Sequence, residues 1–402
     1  MEKQLIPQLR FPAFERKWES KKLGDVGVFK GGGTPSTNNT DYWVGNIPWI
    51  SSSDVKENDI INIDITRYLS EKAVDDSAAK LIPKNSVLFV SRVGVGKLFV
   101  SKKDLCTSQD FANLIPKKDN SYYIAYYFLS RSKLLHQYAQ GTSIKGFTTG
   151  DLKSIPINIP LIEEQQKIAS FLTDVDTKIT KLTKKKELLE YYKKGVMQKI
   201  FNQELRLKDD NGNAFADWEV KKLGTIGSIV SGLTYSPNDI DANGVLVLRS
   251  SNVKKRLIAL KDKVCVSVEE GKFNPVELND ILICVRNGSK RLIGKNAIIK
   301  EEHIGLAFGA FMTIYRSNYN RFLFHFFDSQ HYKKEVHKNL GATINSINGG
   351  DLKKFKVPFP CIAEQTKIAN FLSDIDVKIE ALNTKIEHSK SFKKGLLQKM
   401  FV

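Results

Sequence analysis

Apolar residues recur with an alternating spacing of four and three over residues 160–201 and again over residues 360–401. In the first stretch Ile168, Leu172, Val175, Ile179, Leu182, Leu189, Val196 and Ile200 form one seam, interrupted by Lys186 and Lys193. In the second, Ile368, Leu372, Ile375, Ile379, Leu382, Ile386, Leu396 and Met400 form it, interrupted by Ser389 and Lys393. A seam this narrow, flanked by Lys, Glu and Asp, predicts a long helix of the coiled-coil kind rather than a helix lying broad-face on a globular core. Pro160 and Pro360 mark the starts. Glu163 and Glu164 in the first turn, with Lys193, Lys194 and Lys199 near the end, suit the helix dipole. Helices of this length form rods of roughly 55 Å. Gly195 and Gly395, each after Lys-Lys, predict a weakened, bendable last turn.

The two stretches align without a gap at a shift of 200, and 22 of 42 positions are identical. Because one seam is kept in register in both copies, the helices are expected to pair with each other through Ile168, Leu172, Val175, Ile179 and Leu182 on one side and Ile368, Leu372, Ile375, Ile379 and Leu382 on the other. The repeat extends beyond them. Trp18-Glu19-Ser20-Lys21-Lys22-Leu23-Gly24 returns as Trp218-Glu219-Val220-Lys221-Lys222-Leu223-Gly224, Gly141-Thr142-Ser143-Ile144 as Gly341-Ala342-Thr343-Ile344, and Gly150-Asp151-Leu152-Lys153 as Gly350-Asp351-Leu352-Lys353. The chain therefore divides into a globular unit over 1–158, a helical region over 159–204, a second globular unit over 205–357 and a second helical region over 358–402.

Between these landmarks the halves diverge, and a scaffold skeleton remains: Gly32 and Thr34 against Gly232 and Thr234, Arg92 against Arg286, Phe111 against Phe311. Short apolar runs bounded by Gly, Pro, Asn and Ser predict strands at 47–50, 86–90, 98–102, 245–248, 281–285, 297–300 and 311–315. One aromatic helix follows in each half, at 122–139 and 321–340. Tyr122, Tyr126, Phe322 and Phe326 on them have faces that can stack on bases, but aromatic residues at helical spacing favour core packing. The fold class is α+β: two mixed α/β units, each followed by a long helix.

Composition narrows the partners. Formal charge is +18, and residues 1–200 and 201–402 each hold 31 Lys+Arg and 22 Asp+Glu. Two equally basic units favour a polyanion contacted twice, most often nucleic acid. No apolar run is long enough for a membrane span and the first residues lack a signal-peptide core, so a cytoplasmic location is expected. Cys106, Cys265, Cys284 and Cys361 show no metal-ligand spacing and are expected to be buried, reduced thiols. His325, His331 and His337 lie on an aromatic, basic segment, where core or surface roles are favoured over a metal site.

The loops supply the binding candidates. Residues 31–40 and 231–236 are small, polar and Gly-containing, and follow a predicted strand, which suits phosphate and base-edge contacts. At 91–97 and 285–295 an Arg directly follows a hydrophobic strand and a Lys lies across a glycine turn, a fork able to hold a guanine edge or phosphates. The DNA-contact candidates are Thr34, Ser36, Arg92, Lys97, Thr142 and Lys145 in the first unit. In the second they are Thr234, Tyr235, Arg249, Asn252, Arg286, Asn287, Lys290, Arg291 and Asn345. Neither glycine turn is a nucleotide loop, since Leu98 and Asn296 stand where the magnesium-binding Ser or Thr belongs. No methyltransferase signature is present, and Asn274-Pro275-Val276 is the nearest approach. Glu19-x-Lys21 and Glu219-x-Lys221 have the spacing of some nuclease sites but no acidic partner before them, so solvated starts of elements explain them better. No catalytic or metal-binding residues are assigned.

The WExKKLGxxG entry, the GTSI/GATI turn and the Pro-x-x-x-Glu-Gln-x-x-Ile-Ala helix start, at Pro160, Glu164, Gln165, Ile168, Ala169 and again at Pro360, Glu364, Gln365, Ile368, Ala369, resemble the specificity subunit of type I restriction-modification systems. The resemblance spans nearly the whole chain. It implies two target recognition domains, each reading half of a bipartite DNA site, and two helices that pair antiparallel and fix the unread spacer. Half-sites on one face of B-DNA recur about every 34 Å, within the reach of such a rod. It also implies docking of two modification subunits that methylate adenine with S-adenosylmethionine and of restriction subunits that use ATP and Mg. Those cofactors belong to the partners, and none is expected in this chain. Because the two sets of loops differ, the site should be asymmetric. The rival readings are a catalytic DNA methyltransferase or nuclease with an unrecognised site, and a purely structural coiled-coil scaffold.

Overall fold

A computed structural model describes residues 6–138, 146–269, 271–340 and 345–402. The chain packs as two compact units: residues 1–185 with 382–402, and residues 186–381. Each is a mixed α/β body completed by pieces of both long helices, Ile162–Phe201 and Ile362–Lys399. Both helices run through Gly195 and Gly395 without interruption, so the expected weakness there leaves no break.

In the first unit a four-stranded antiparallel sheet has the order Gly27–Gly31, Phe111–Pro116, Val87–Val90, Leu98–Val100. Val87-Leu88-Phe89-Val90 is buried on both faces. Val87 and Phe89 enter the cluster shared with the helices, while Leu88 and Val90 enter a second cluster with Ile50, Phe99 and Phe111. This is the period-two division that a central strand imposes. A smaller sheet, Arg67–Leu69, Ile47–Ile50, Leu105–Thr107, Leu81–Ile82, closes over that second face and contains one parallel pair. The second unit repeats the plan with Ser228–Ser231, Met312–Arg316, Ile281–Cys284 and Asn296–Ile298, and with a smaller sheet of Cys265–Val266, Ile240–Leu248 and Ala307–Phe308. There Ile281 and Ile283 face the helical cluster and Leu282 and Cys284 the other.

The predicted aromatic helices are each broken in two. Asn120 caps Ser121–Ser130 by accepting from the Tyr123 amide at 3.0 Å, and Ser132–Tyr138 follows a break at Arg131; Ala139 lies outside the described residues. In the second unit Asn320–Phe326 ends before Ser329, whose hydroxyl caps Gln330–Asn339. Tyr126, Phe322 and Phe326 are buried and Tyr122 half-buried, which favours packing over base stacking.

The repeated sequence landmarks close each unit on itself. The strand Glu19–Lys22 pairs with Pro156–Ile159, which leads into the first long helix, and Glu219–Lys222 pairs likewise with Lys356–Phe359. A Cβ on Gly24 or Gly224 would lie about 3 Å from the Cβ of Lys153 or Lys353, which is why glycine follows the leucine there. The Glu-x-Lys spacings are ion pairs along one strand, Glu19–Lys21 at 3.4 Å and Glu219–Lys221 at 3.1 Å. In the helix start, Glu164 receives a bidentate bond from Arg10, at 2.8 Å twice, and the Trp18 indole N–H at 3.3 Å. Glu364 receives Arg206 at 2.9 Å twice and Trp218 at 2.8 Å. The following Gln165 and Gln365 donate to the carbonyls of Pro160 and Pro360. Gly-Asp-Leu-Lys is a cap: Thr148 and Asp151 form a capping box, and Asn348 accepts from the Asp351 amide.

The two long helices contact each other inside each unit. In the first, Asp176 meets Lys393 at 2.6 Å, and Ile168, Leu172 and Val175 share a cluster with Leu396 and Met400, so the segments run antiparallel. In the second, Lys193 meets Asp376 at 2.6 Å, and Val196 and Ile200 share a cluster with Ile368, Leu372, Ile375 and Ile379. Ile179 is half-buried, as is Leu182, while Leu382 is buried. Of the cysteines only Cys106 and Cys284 are buried, and burial pushes their thiols up to about 11. Cys265 is half-buried and Cys361 exposed, contrary to the expectation, because Cys361 sits at the outer corner where the second long helix begins.

Candidate nucleic-acid interface

In the first unit the buried strand Val87–Val90 ends at Ser91 and delivers Arg92 to the surface. The hairpin is closed by the Val90 amide donating to the Lys97 carbonyl at 3.0 Å. Its tip is held in left-handed backbone at Val93, Gly94 and Gly96, with φ of 48°, 110° and 94°. A β-branched residue is costly there, and Val93 is also 62 % exposed. Gly96 is further constrained by the His136 ring, 2.8 Å from where a Cβ would stand. The Ser91 amide donates to the Asp110 carbonyl, and the Gly33 amide to the Thr107 carbonyl. These bonds bring the loop after the first sheet strand and the Arg92 hairpin to the same turn, 108–110, where the Thr34 hydroxyl bonds the Gln109 side chain. Ser36 is exposed, with its carbonyl taken by the Trp43 indole, and Lys97 is half-buried. Thr142, Lys145 and the GTSI and GATI turns lie outside the described residues.

The second unit builds the same edge from different side chains. Arg286 is exposed and pairs through its backbone with Ser346, as Arg92 does with Gly146. Asn287 donates to the Ser250 hydroxyl at 3.1 Å, its amide binds the Asn345 carbonyl, and Asn345 returns a bond to the Gly288 carbonyl. Lys295 donates to the Ser250 carbonyl, and burial holds its ammonium below its ordinary pKa. Lys290 and Arg291 stand exposed on the turn Lys290–Leu292. Thr234 is exposed, whereas Tyr235 is half-buried against Val247, Val266 and Ala307.

Two candidates change role. Asn252 is fully buried: its amide nitrogen donates to the carbonyls of Ala259 and Asp262, and its oxygen accepts the Arg249 amide. All its polar atoms are committed to folding a loop, so it is not a DNA contact. Arg249 forms an ion pair with Asp262 at 2.8 Å. The alignment of Phe111 with Phe311 as scaffold is also corrected. Phe111 pairs with Val90 and is buried, but its place in the second unit is taken by Met312, paired with Cys284 and equally buried. Phe311 is one residue earlier and 59 % exposed. One residue of slip at the strand entry moves the aromatic ring from core to surface, and at a fixed shift of 200 the sequence conceals it.

The two edges thus present an exposed arginine at each strand end beside amide and hydroxyl groups and backbone turns, the group types that position phosphates and read base edges. Asp110, Gln109 and Phe311 join them, and only their position beside the Arg-bearing hairpin, visible in the fold, singles them out. Among the described residues no group of three or more His, Cys, Asp and Glu is arranged to hold a metal. His325, His331 and His337 take separate partners, Ser373, Asn202 and the Lys333 carbonyl. No helix among the described residues is long and apolar enough to cross a membrane.

The architecture has known counterparts. The S subunit of a type I restriction-modification system from M. genitalium shares the fold over 99 % of both chains, with a TM-score of 0.66 at 15 % identity. A chain from a study of complex assembly and conformational transition of the type I R-M system matches with a TM-score of 0.55 at 16 % identity over 96 % of this chain and 97 % of that one. In sequence, the MjaVIII specificity subunit of Methanocaldococcus jannaschii is 27 % identical over 94 % of this chain and 91 % of its own. The MjaIX specificity subunit of the same organism is 35 % identical over 54 % of this chain, which spans about half of that relative's length (53 %). The model of the type I restriction modification DNA specificity domain matches twice, at residues 15–191 and 216–388, one copy for each half of the duplication. With a repeated sheet, a repeated Arg–Glu–Trp closure and two family matches in tandem, the chain belongs to the family of type I restriction-modification DNA specificity subunits, the non-catalytic recognition components of those systems.

Proposed function

We propose that this chain reads an asymmetric, bipartite DNA sequence, each unit recognising one half-site, while the paired long helices set the spacer and carry docking surface for methyltransferase and restriction subunits. The observation that carries the reading is the contrast within a common scaffold: equivalent strand ends hold Arg92 with Gln109 and Asp110 in one unit, and Arg286 with Phe311, Asn287 and Asn345 in the other. Framework identity with edge divergence is what two readers of different sequences need. The charge of +18 supports a polyanionic partner. Apolar side chains left exposed on the helices, Leu188, Tyr191, Tyr192 and Val377 in the second unit and Phe392 in the first, support partner docking there. The cofactors S-adenosylmethionine, ATP and Mg would act in those partners.

Co-expression with a modification subunit of the same system, followed by sequencing of methylated adenines, tests the proposal. It requires one motif of two unlike halves around a fixed spacer. A single continuous motif, or methylation by the purified chain alone, overturns it. Inserting one heptad into one long helix should change the accepted spacer and leave both halves unaltered.

A further inference from the structure

Hydrogen bonding identifies a position that the sequence repeat misaligns. In the first unit the Asp110 carbonyl accepts the Ser91 amide at 2.7 Å; in the second the Phe311 carbonyl accepts the amides of Val285 at 3.0 Å and Arg286 at 3.1 Å. Each residue immediately precedes the buried first residue of the central strand, Phe111 or Met312. Asp110 and Phe311 are therefore structural equivalents, both beside the exposed Arg that ends the neighbouring strand.

We propose that this position is a base reader, with Phe311 contacting a thymine methyl beside a guanine held by Arg286, and Asp110 accepting from a cytosine amino group beside the base held by Arg92. The proposal rests on the DNA-reading function above and assigns it a residue. Phe311 is 59 % exposed, with the Arg286 guanidinium carbon 5.8 Å from its ring centroid. An aromatic ring left in water beside a cation that makes no ion pair among the described residues suits the apolar methyl and O6/N7 acceptors of adjacent bases in a major groove. A side chain whose work was phosphate binding would not be Phe. Asp110 argues the same from the opposite chemistry. A carboxylate on this edge, in a half of the chain (residues 1–200) whose net charge is +9, would repel phosphates, whereas cytosine N4 is a donor that a carboxylate accepts. The side chain is half-buried and, among the described residues, receives only a long 3.3 Å bond from the Ser108 hydroxyl, leaving acceptor capacity for a base.

The test uses the complex assembled with its modification subunits. Methylated adenines are mapped for the wild type, for Arg286→Ala to identify the half-site read by the second unit, and for Phe311→Ala and Phe311→Leu. The expected result is a thymine in that half-site which Phe311→Ala no longer requires, with the other half-site unchanged. On synthetic duplexes, replacing that thymine by deoxyuridine should weaken the wild type about fourfold, the value of one buried methyl, and leave Phe311→Ala indifferent. Phe311→Leu, which keeps an apolar contact, should retain the preference; it also serves as the readout should the alanine variant assemble poorly. A second half-site lacking thymine, or an unchanged motif in both variants, overturns the assignment while leaving the bipartite reading in place. A wild-type complex without a bipartite motif overturns that reading itself.

Discussion

At the same place in each unit, a side chain from the aromatic helix meets an Asp–Lys pair formed by the two long helices, and the two meetings differ. In the first, Tyr126 donates to Asp176 at 2.8 Å, Lys393 holds the same carboxylate at 2.6 Å and also donates to the Asn58 carbonyl at 3.1 Å. The Asp176 side chain is 8 % exposed. In the second, the Tyr126 position is occupied by His325, which bonds Ser373 at 3.2 Å and stands 4.0 Å from Asp376, its Nδ1 without a hydrogen-bond partner among the described residues. Lys193 holds Asp376 at 2.6 Å, and that side chain is 40 % exposed. One sequence plan has produced a dry carboxylate held by a tyrosine and a lysine in one unit and a wetter, two-charge contact in the other. A duplicated charge pair is thus held by its surroundings more than by its own geometry, because a carboxylate removed from water depends on every remaining partner.

The comparison is broken most directly at the lysines. Lys393→Ala strands Asp176 away from water and should cost about 3–5 kcal/mol, whereas Lys193→Ala leaves a carboxylate that water reaches and should cost about 1 kcal/mol. Urea unfolding of the two variants gives the difference; equal losses would show that the environments do not matter. Tyr126→Phe, removing one hydrogen bond to a charged acceptor, should cost about 1.5–3 kcal/mol, measured the same way. In the second unit the counterpart is pH. Burial, then Lys193 and Arg256, hold His325 well below its ordinary 6.5. Asp376 faces it from the long helix, and Asp328 and Tyr332 lie around Arg256. A depressed imidazole contributes stability that is present above the unfolded value and is lost as pH falls below about 6.5, by at most about 1.4 kcal/mol per pH unit. His303 and His331 of the same unit, both lowered by burial, add to that slope. Hydrogen exchange resolved by peptide should show the second unit opening earlier than the first between pH 6.5 and 5, and His325→Gln should reduce the gap. The smallest effect is a control: among the described residues, nothing beyond the helix's own nearby backbone lies within 4 Å of a Cβ at Gly195 or Gly395. Alanine at either should stabilise by about 0.5–1 kcal/mol in both units alike, read as a raised urea midpoint.

The long helices and the strand positions were legible because a narrow seam and buried alternation leave their period in the sequence. So were the closure motifs, although their physical reason, Arg10 and Arg206 forked onto buried Glu164 and Glu364, needed residues far apart in the chain to be brought together. Lys193 and Lys393 read as interruptions of the seam because their compensating aspartates lie on the other helix. The edge residues were only partly legible. Arg92 and Arg286 follow directly from strand-then-turn chemistry, but Asn252 is a loop fastener that looks like any exposed amide. Phe311 was misread as scaffold because a one-residue slip between halves leaves no trace in an ungapped repeat.

The first unit includes residues 382–402: the Leu9 amide donates to the Lys399 carbonyl, Asn158 to the Val402 carbonyl, and the Phe401 ring lies against Trp18, Tyr123 and Tyr127. The second unit is continuous, residues 186–381. On the ribosome, where domains ordinarily complete from the amino end onward, the order is inverted: the second unit has all its residues while the first still waits for a segment some 200 positions downstream. Until that segment emerges, the nascent first unit lacks the ring that covers Trp18 and Tyr123.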